Sequence, residues 1–123
     1  MVDKNKRIKI FYITTKRVDG FTIKIKKYIH PKDTYLWAKF QNLKSDQIAA
    51  NKQNQNETTA YFIINRRLIK EDMYIEWNRK TFGLCIYQIL GIDPYDDNSN
   101  DLKVSVKQIN STFTFDEVEG TEF

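Results

Sequence analysis

The sequence predicts a mainly β protein, a small antiparallel β-barrel of about six strands with a short α-helix and loop inserted near residues 43–56. Apolar β-forming residues occur in short runs between residues 60 and 106, and polar breaks separate the runs. The 123 residues include only four glycines and two prolines, but 8 Phe, 7 Tyr and 2 Trp. This composition favours a folded domain with one aromatic-rich core over a fibrous or disordered chain.

The N-terminal third predicts a hairpin followed by a third strand. Residues 8–14 are apolar on both faces towards their end, which indicates a strand buried on two sides. Asp19 and Gly20 form the strongest reversal signal in the chain. Residues 21–29 then alternate between apolar positions and lysines, so we expect one face on the core and a basic face outside. Residues 35–40 predict the third strand.

The β pattern disappears between Leu43 and Asn56. Ser45 can cap a short helix that ends near Asn51, with few apolar anchors. The next six residues are polar and cannot bury apolar surface, so they predict a mobile loop. This loop consists of Asn51, Lys52, Gln53, Asn54, Gln55 and Asn56.

Four more strands are predicted, at about 59–65, 72–77, 81–91 and 101–109. A tight turn at 78–80 separates two of them, with Asn78 able to take a positive φ. Residues 1–110 are predicted to form the single barrel domain, with the insertion at 41–56, and residues 111–123 an acidic, flexible tail. The predicted core residues are Trp37, Ile63, Met73, Ile75, Trp77 and Phe82.

The candidate catalytic residues lack the partners that catalysis requires. His30 lies beside a proline at a strand end, which favours a surface histidine. Cys85, the only cysteine, lies within an apolar strand, which favours packing in a reducing cytoplasm. The aspartates between 93 and 101 match no calcium-loop spacing. We therefore expect a protein that is not an enzyme and needs no cofactor or metal.

The charge distribution leaves two interpretations open. The formal net charge is +4, with bases concentrated in residues 1–32 and acids in the last thirteen residues. This asymmetry can attract nucleic acid, but solvated strand faces are the commoner cause. Lys9 with Phe11, and Lys26 and Lys27 with Tyr28, resemble the face of an oligonucleotide-binding barrel. Among these aromatic residues only Tyr28 shares the outward face with Lys24 and Lys26. No apolar run is long enough to span a membrane, and the first residues lack an apolar signal core.

The order and spacing of several short motifs resemble the phage head-tail joining family, the head-closure or stopper proteins of long-tailed bacteriophages. The similarity covers roughly residues 7–108, and each motif alone is unspecific. In chain order the motifs are LWAKF at 36–40, the polar insertion, YFIINR at 61–66, DMYI at 72–75, WNRK at 77–80, TFGL at 81–84, ILGIDP at 89–94 and LKV at 102–104. The turn at 78–80 departs from the Asn-Gly or Arg-Gly often found in these proteins.

The resemblance implies a structural protein of the virion neck, made in the bacterial cytoplasm. Twelve subunits would form a ring below the portal and adaptor proteins, retain the packaged DNA, and present a surface to the tail terminator and tail proteins. The insertion, including the predicted mobile loop, would face the channel through which double-stranded DNA passes. We further expect the apolar residues Phe11, Phe62 and Tyr87 to face outwards and pack between subunits. A tail-completion protein of the same neck is an alternative.

Overall fold

The computed structural model describes residues 4–43, 58–96, 100–109 and 113–121. In these residues the chain forms strands and no helix, and no helix long and apolar enough to cross a membrane is found there. The strands are β1 (Lys6–Val18), β2 (Phe21–Tyr28), β3 (Leu36–Asn42), β4 (Ala60–Asn65), β5 (Tyr74–Arg79), β6 (Gly83–Pro94), β7 (Asp101–Ile109) and β8 (Glu117–Glu119).

Six of the strands form a closed ring. The neighbours are β3, β4, β7, β6, β5 and β1 in that order, and β1 pairs with β3 to complete the circle. All of these pairs are antiparallel. Closure leaves no free strand edge among the six. The prediction of a small antiparallel β-barrel of about six strands is confirmed.

The long first strand belongs partly to the barrel and partly to a projecting hairpin. Residues 6–8 of β1 pair with β3 and residues 9–11 pair with β5. From Phe11 onwards β1 pairs with β2, in a register that ends at Val18 opposite Phe21. Asp19 and Gly20 both have positive φ, 51° and 82°, as a two-residue hairpin turn requires. We call residues 12–27 the arm.

Aromatic rings fill the centre of the barrel. Phe62 packs against Tyr87 and Trp77, with ring centroids 5.3 and 5.8 Å apart, and Phe40 lies 4.8 Å from Trp77. Burial of rings of this size removes much apolar area from water, which stabilises a barrel built from short strands. Aliphatic residues from every strand of the ring surround the four rings, among them Ile10, Ala38, Ile64, Ile75, Ile89 and Val104.

Four of the six predicted core residues are buried, namely Ile63, Met73, Ile75 and Trp77. The prediction was wrong for Trp37 and Phe82, which are 51% and 67% exposed. Trp37 alternates along β3 with the inward-facing Leu36 and Ala38, so its side chain points out of the barrel. Phe82 lies in the turn between β5 and β6 rather than in a strand.

The turn between β5 and β6 also differs from the prediction. Asn78 is still paired in β5, opposite Leu84. The chain reverses between Arg79 and Gly83, and Gly83 has the positive φ, 73°. Glycine adopts this conformation without the steric cost that a side chain carries. The reversal therefore lies two or more residues later than the sequence pattern indicated.

The C-terminal segment, predicted to be flexible, packs against the arm. β8 pairs in parallel with residues 25–27 of β2. The backbone N–H of Lys24 donates to Asp116 Oδ2 at 2.8 Å, and the backbone N–H of Asp116 donates to the Lys24 carbonyl at 2.9 Å. Thr121 Oγ1 donates to the Tyr28 carbonyl at 2.7 Å. These bonds occupy the outer edge of β2. We call residues 113–121 the C-terminal clasp.

The predicted helix and most of the insertion lie outside the described residues, but both ends of this segment are visible. β3 ends at Asn42 opposite Ala60 of β4, and the Leu43 N–H donates to the Thr59 carbonyl at 3.1 Å. The chain therefore leaves and re-enters the barrel at one point.

Candidate functional site

The residues predicted for the channel loop, Asn51 to Asn56, lie outside the described residues, and their placement stays a prediction. The three predicted interface residues are all in the described part. Phe11, Phe62 and Tyr87 are 0%, 0% and 1% exposed within a single chain, so the prediction that they face outwards was wrong. Phe62 and Tyr87 point into the barrel, and the C-terminal clasp covers Phe11.

An aromatic cluster surrounds Lys26 on the outer face of β1, β2 and β5. Phe11 stacks on Tyr74 with centroids 5.4 Å apart, and Phe115 of the clasp meets Phe11 edge-on at 6.1 Å. The Lys26 ammonium lies 4.6 Å from the centroid of Phe11 and 5.0 Å from that of Tyr28. We call this group, completed by Glu76 and Phe113, the outer cluster.

The charges of the outer cluster are paired. Lys26 Nζ donates to Glu76 Oε1, and the Tyr28 hydroxyl donates to the same carboxylate at 3.1 and 3.2 Å. Burial alone lowers the pKa of Lys26, but its hydrogen bonds to Glu76 and Tyr28 outweigh this and raise the pKa above its usual value. Burial, together with the Glu76 charge, raises the pKa of Tyr28. Lysine, glutamate and protonated tyrosine therefore form one neutralised network.

The outer cluster removes one predicted binding surface. Lys9, Phe11, Lys26 and Tyr28 were the residues that resembled a nucleic-acid face. Phe11 and Tyr28 are buried, and the lysines already lie over their rings. A base cannot stack on rings that the clasp and two ammonium groups cover. We interpret this cluster as the attachment site of the C-terminal clasp.

His30 is buried rather than on the surface, so the prediction of a surface histidine was wrong. The backbone N–H of Ile10 donates to His30 Nε2 at 3.3 Å, while His30 Nδ1 lies 3.0 Å from the Pro31 carbonyl. An accepting Nε2 requires a neutral ring, with the proton on Nδ1 donated to Pro31. Burial, and the positive charges of Lys9 and Arg67, lower the pKa of His30. The ring joins β1 to the segment after β2.

The other residues considered for chemistry form no site in the described chain. Cys85 is a free, buried cysteine whose Sγ lies 3.7 Å from the Gly83 carbonyl. Asp101 forms an ion pair with Lys4 at 3.0 Å. Within the described ranges no three His, Cys, Asp or Glu side chains are arranged to hold a metal ion.

A basic and aromatic groove lies where the β5–β6 turn meets the start of β1 and the end of β3. Its volume is about 660 Å³, and we call it the Arg79 groove. It lies at the root of the insertion, because Asn42, the last residue of β3, lines it. The lining residues are Asn5, Lys6, Arg7, Phe40, Asn42, Trp77, Asn78, Arg79, Lys80, Thr81 and Phe82, with four bases and no acid among them.

Aromatic rings hold the Arg79 guanidinium. Its central carbon lies 4.6 Å from the centroids of Trp77 and Phe82 and 5.3 Å from that of Phe40. No described carboxylate forms an ion pair with it. The hydroxyl of the core residue Tyr87 is buried. Burial raises the pKa of Tyr87, and the Arg79 side chain opposes this rise.

The Arg79 groove was not predicted from the sequence. The signal was present, since a tryptophan, an arginine, a lysine and a phenylalanine occur within residues 77–82. We assigned the two aromatic residues to the core and the bases to a turn, because the pattern of a hairpin does not show which side chains share an end of the barrel. The groove needs β1 and β3 as well, and their residues are more than thirty positions away in sequence.

Comparison with known proteins establishes the fold but no family. No family model matches the chain, and no curated protein matches it. The chain is similar in structure to protein SF1141 from Shigella flexneri 2a, whose solution structure matches it with a TM-score of 0.66. The match covers 88% of this chain and 95% of that chain at 17% sequence identity. At this identity the likeness concerns the barrel alone.

Proposed function

We propose that the chain is a structural subunit of a phage neck ring, which closes the filled head and receives the tail. The observation that carries the proposal is the combination of a closed six-stranded barrel with a hairpin arm on one side and a long polar insertion between β3 and β4. The resemblance to head-closure proteins rests on motifs in this same order. The portal or adaptor above, the tail proteins below, and double-stranded DNA in the channel are the partners of such a ring.

The root of the insertion supports a role for this segment at the channel. Leu43 and Thr59 are joined by a backbone hydrogen bond, so the chain leaves and re-enters the barrel at neighbouring positions. A segment attached in this way can obstruct a channel without strain in the barrel. Lys44 and Lys52 are its only bases between residues 43 and 57. A low positive charge suits a segment that must release DNA, since phosphate contacts would hold it.

The arm supplies apolar surface for contact with a neighbouring subunit. At its tip Val18 and Phe21 lie opposite each other and are exposed, Phe21 by 75%. Nothing in the described part of the same chain covers Phe21. A protruding apolar tip fits a pocket elsewhere on a second copy, which is the head-to-tail arrangement that closes into a ring. We assign intersubunit packing to Val18 and Phe21 in place of Phe11, Phe62 and Tyr87.

Cryo-electron microscopy of the particle neck tests this proposal directly. We expect a ring of barrels of this size below the portal, with the arm of each barrel against its neighbour. A neck in which every density is accounted for by other chains would contradict the proposal.

A variant at the arm tip provides a second test in particles. Phe21→Asp should leave the barrel folded, because the side chain is exposed, but should prevent ring formation and give filled heads without tails. Thr22→Asp is the matched control, since it adds the same charge at the next exposed position of the arm. Normal tailed particles with Phe21→Asp would exclude the arm tip as a subunit contact.

A further inference from the structure

We propose that the Arg79 groove binds single-stranded nucleic acid, with the phosphates on Lys6, Arg7, Arg79 and Lys80 and a base on the ring of Phe82. This site is separate from the subunit contacts of the neck ring. It also differs from the outer cluster, whose rings and charges are already engaged.

The Arg79 groove is strongly basic. Two lysines and two arginines line it, and no acidic residue does. Cations at this density repel one another and attract anions. Several cations along one groove match a chain of phosphates better than they match a single carboxylate, because successive phosphates can each meet one base.

The Arg79 guanidinium lies against the rings of Trp77 and Phe82. Contact with aromatic rings uses the faces of a guanidinium, so N–H groups in its plane can still donate to an anion. Such an arrangement suits recognition of phosphate oxygens, which accept several hydrogen bonds at once.

An exposed aromatic ring lies at the mouth of the groove. Phe82 is 67% exposed, and Arg79 lies over one of its faces. Its other surface is open to a base, and stacking of one base on an aromatic side chain contributes about 1–3 kcal/mol. The bases of a duplex are stacked on each other and unavailable for this contact. A single strand entering a concave groove can use both the phosphate and the base contacts.

An acidic segment from a second copy of the chain is a less favoured occupant of the groove than a single strand. The acidic tail of the chain is the obvious candidate, but the clasp holds it on its own β2. Asp116 is bonded to the Lys24 backbone, and residues 117–119 are paired as β8. An acidic peptide also gives no reason for an exposed phenylalanine beside the bases.

Fluorescence anisotropy with the full-length chain tests the proposal. The probes are a labelled fifteen-nucleotide oligothymidine, a DNA duplex of equal length, and an acidic peptide with the sequence of residues 113–123. We expect the oligothymidine to bind most tightly. If four phosphates are neutralised, log K should fall with log salt with a slope of about −3.

Variants locate the binding in the groove. Lys80→Glu should weaken oligothymidine binding about tenfold or more, and Phe82→Ala about fivefold or more. Both side chains are exposed, so neither variant is expected to unfold the barrel. Lys16→Glu, at an exposed base of the arm, is the matched control and should change affinity less than about twofold.

The proposal is overturned if oligothymidine does not bind, or if neither Lys80→Glu nor Phe82→Ala weakens it. It is also overturned if the duplex or the acidic peptide binds as tightly as the single strand. None of these results bears on the neck ring, whose tests depend on the arm tip and on particle structure. The two proposals can therefore fail independently.

Discussion

The two tryptophans of the chain have opposite environments although both lie in strands. Trp77 is 9% exposed and packs on Phe40 and Phe62, whereas Trp37 is half exposed on the outside of β3. Removal of a buried tryptophan side chain typically costs about 3–5 kcal/mol, a large part of the total stability of a small domain. We therefore expect Trp77→Ala to unfold the chain at or near physiological temperature.

Thermal and urea unfolding of Trp77→Ala and Trp37→Ala measure this difference. Trp37→Ala is the matched control and should retain most of the wild-type stability, because its ring already contacts water. Equal losses in the two variants would contradict the assignment of Trp77 to the core. A folded Trp77→Ala variant with an unchanged melting curve would contradict it as well.

His30 is the single histidine of the chain, which makes its titration unambiguous. Its neutral ring accepts a hydrogen bond from Ile10, and burial holds its pKa below the unfolded value of about 6.5. Below about pH 6.5 the chain therefore takes up a proton at His30 when it unfolds. The stability that His30 contributes is fully present above about pH 6.5, and it is lost as the pH falls through the pKa of the folded state. We expect stability to decline over this interval, before most carboxylates titrate.

Nuclear magnetic resonance of the His30 ring protons gives the folded pKa directly. The midpoint should lie below that of a short peptide with the sequence of residues 28–32. A midpoint at or above the peptide value would show that the ring is solvated and that the Ile10 contact is absent in solution. Urea unfolding at pH 7.5 and 5.5 checks the accompanying change in stability.

At the scale of elements, the local alternation of apolar and polar residues explains which strands and turns were predicted correctly. The strands of the barrel come from runs in which apolar residues recur every second position, and the Asp19-Gly20 turn has a specific backbone requirement. Neither signal depends on distant residues. The turn after β5 was misplaced, because Asn78 and Gly83 can both take a positive φ and the sequence does not say which one does.

The C-terminal clasp could not be predicted, since its partners are distant in sequence. Lys24 and Asp116, which are bonded to each other, are 92 positions apart. The tail has the acidic composition of a solvated segment, and only Phe113 and Phe115 indicate otherwise. The burial of Phe11 could not be predicted for the same reason, because Phe115, which packs against it, is distant in sequence.

Gly120 gives a test of the clasp. A Cβ added at Gly120 would lie 2.4 Å from the backbone nitrogen of Lys32, closer than real Cβ contacts allow. Gly120→Ala must therefore displace the clasp or the segment after β2. We expect faster amide hydrogen exchange at residues 24–28 and a lower melting temperature, because the outer edge of β2 loses its partner.

Gly91→Ala is the matched control for this experiment. A Cβ there would meet only Ser105 Cβ, at an ordinary 3.8 Å, so the same substitution has space. Unchanged exchange in β2 of the Gly120→Ala variant would mean that the clasp is not formed in solution. In that case Phe11 and Lys26 would be exposed, and the outer cluster would again be available to a ligand.

At the scale of the whole molecule, we expect the barrel to tolerate changes in the insertion. The hydrogen bond between Leu43 and Thr59 and the pairing of β3 with β4 join the two ends of the intervening segment within the barrel. The entropy of closing a loop changes slowly with its length, so a few residues fewer alter stability little. Deletion of residues 53–56 should therefore leave the melting temperature within a few degrees of the wild-type value.

The same deletion should impair the neck if the insertion obstructs the channel. We expect particles carrying it to package DNA and then lose it, because the shortened excursion no longer fills the channel. Protection of packaged DNA from nuclease, measured alongside the melting curve of the purified chain, distinguishes loss of gating from loss of folding. Replacement of residues 53–56 by four serines is the matched control, since it keeps the length and polarity and should retain the genome. Full-length genomes in particles with the deletion would remove the insertion from the closure mechanism and leave the arm and the barrel as the parts that build the ring.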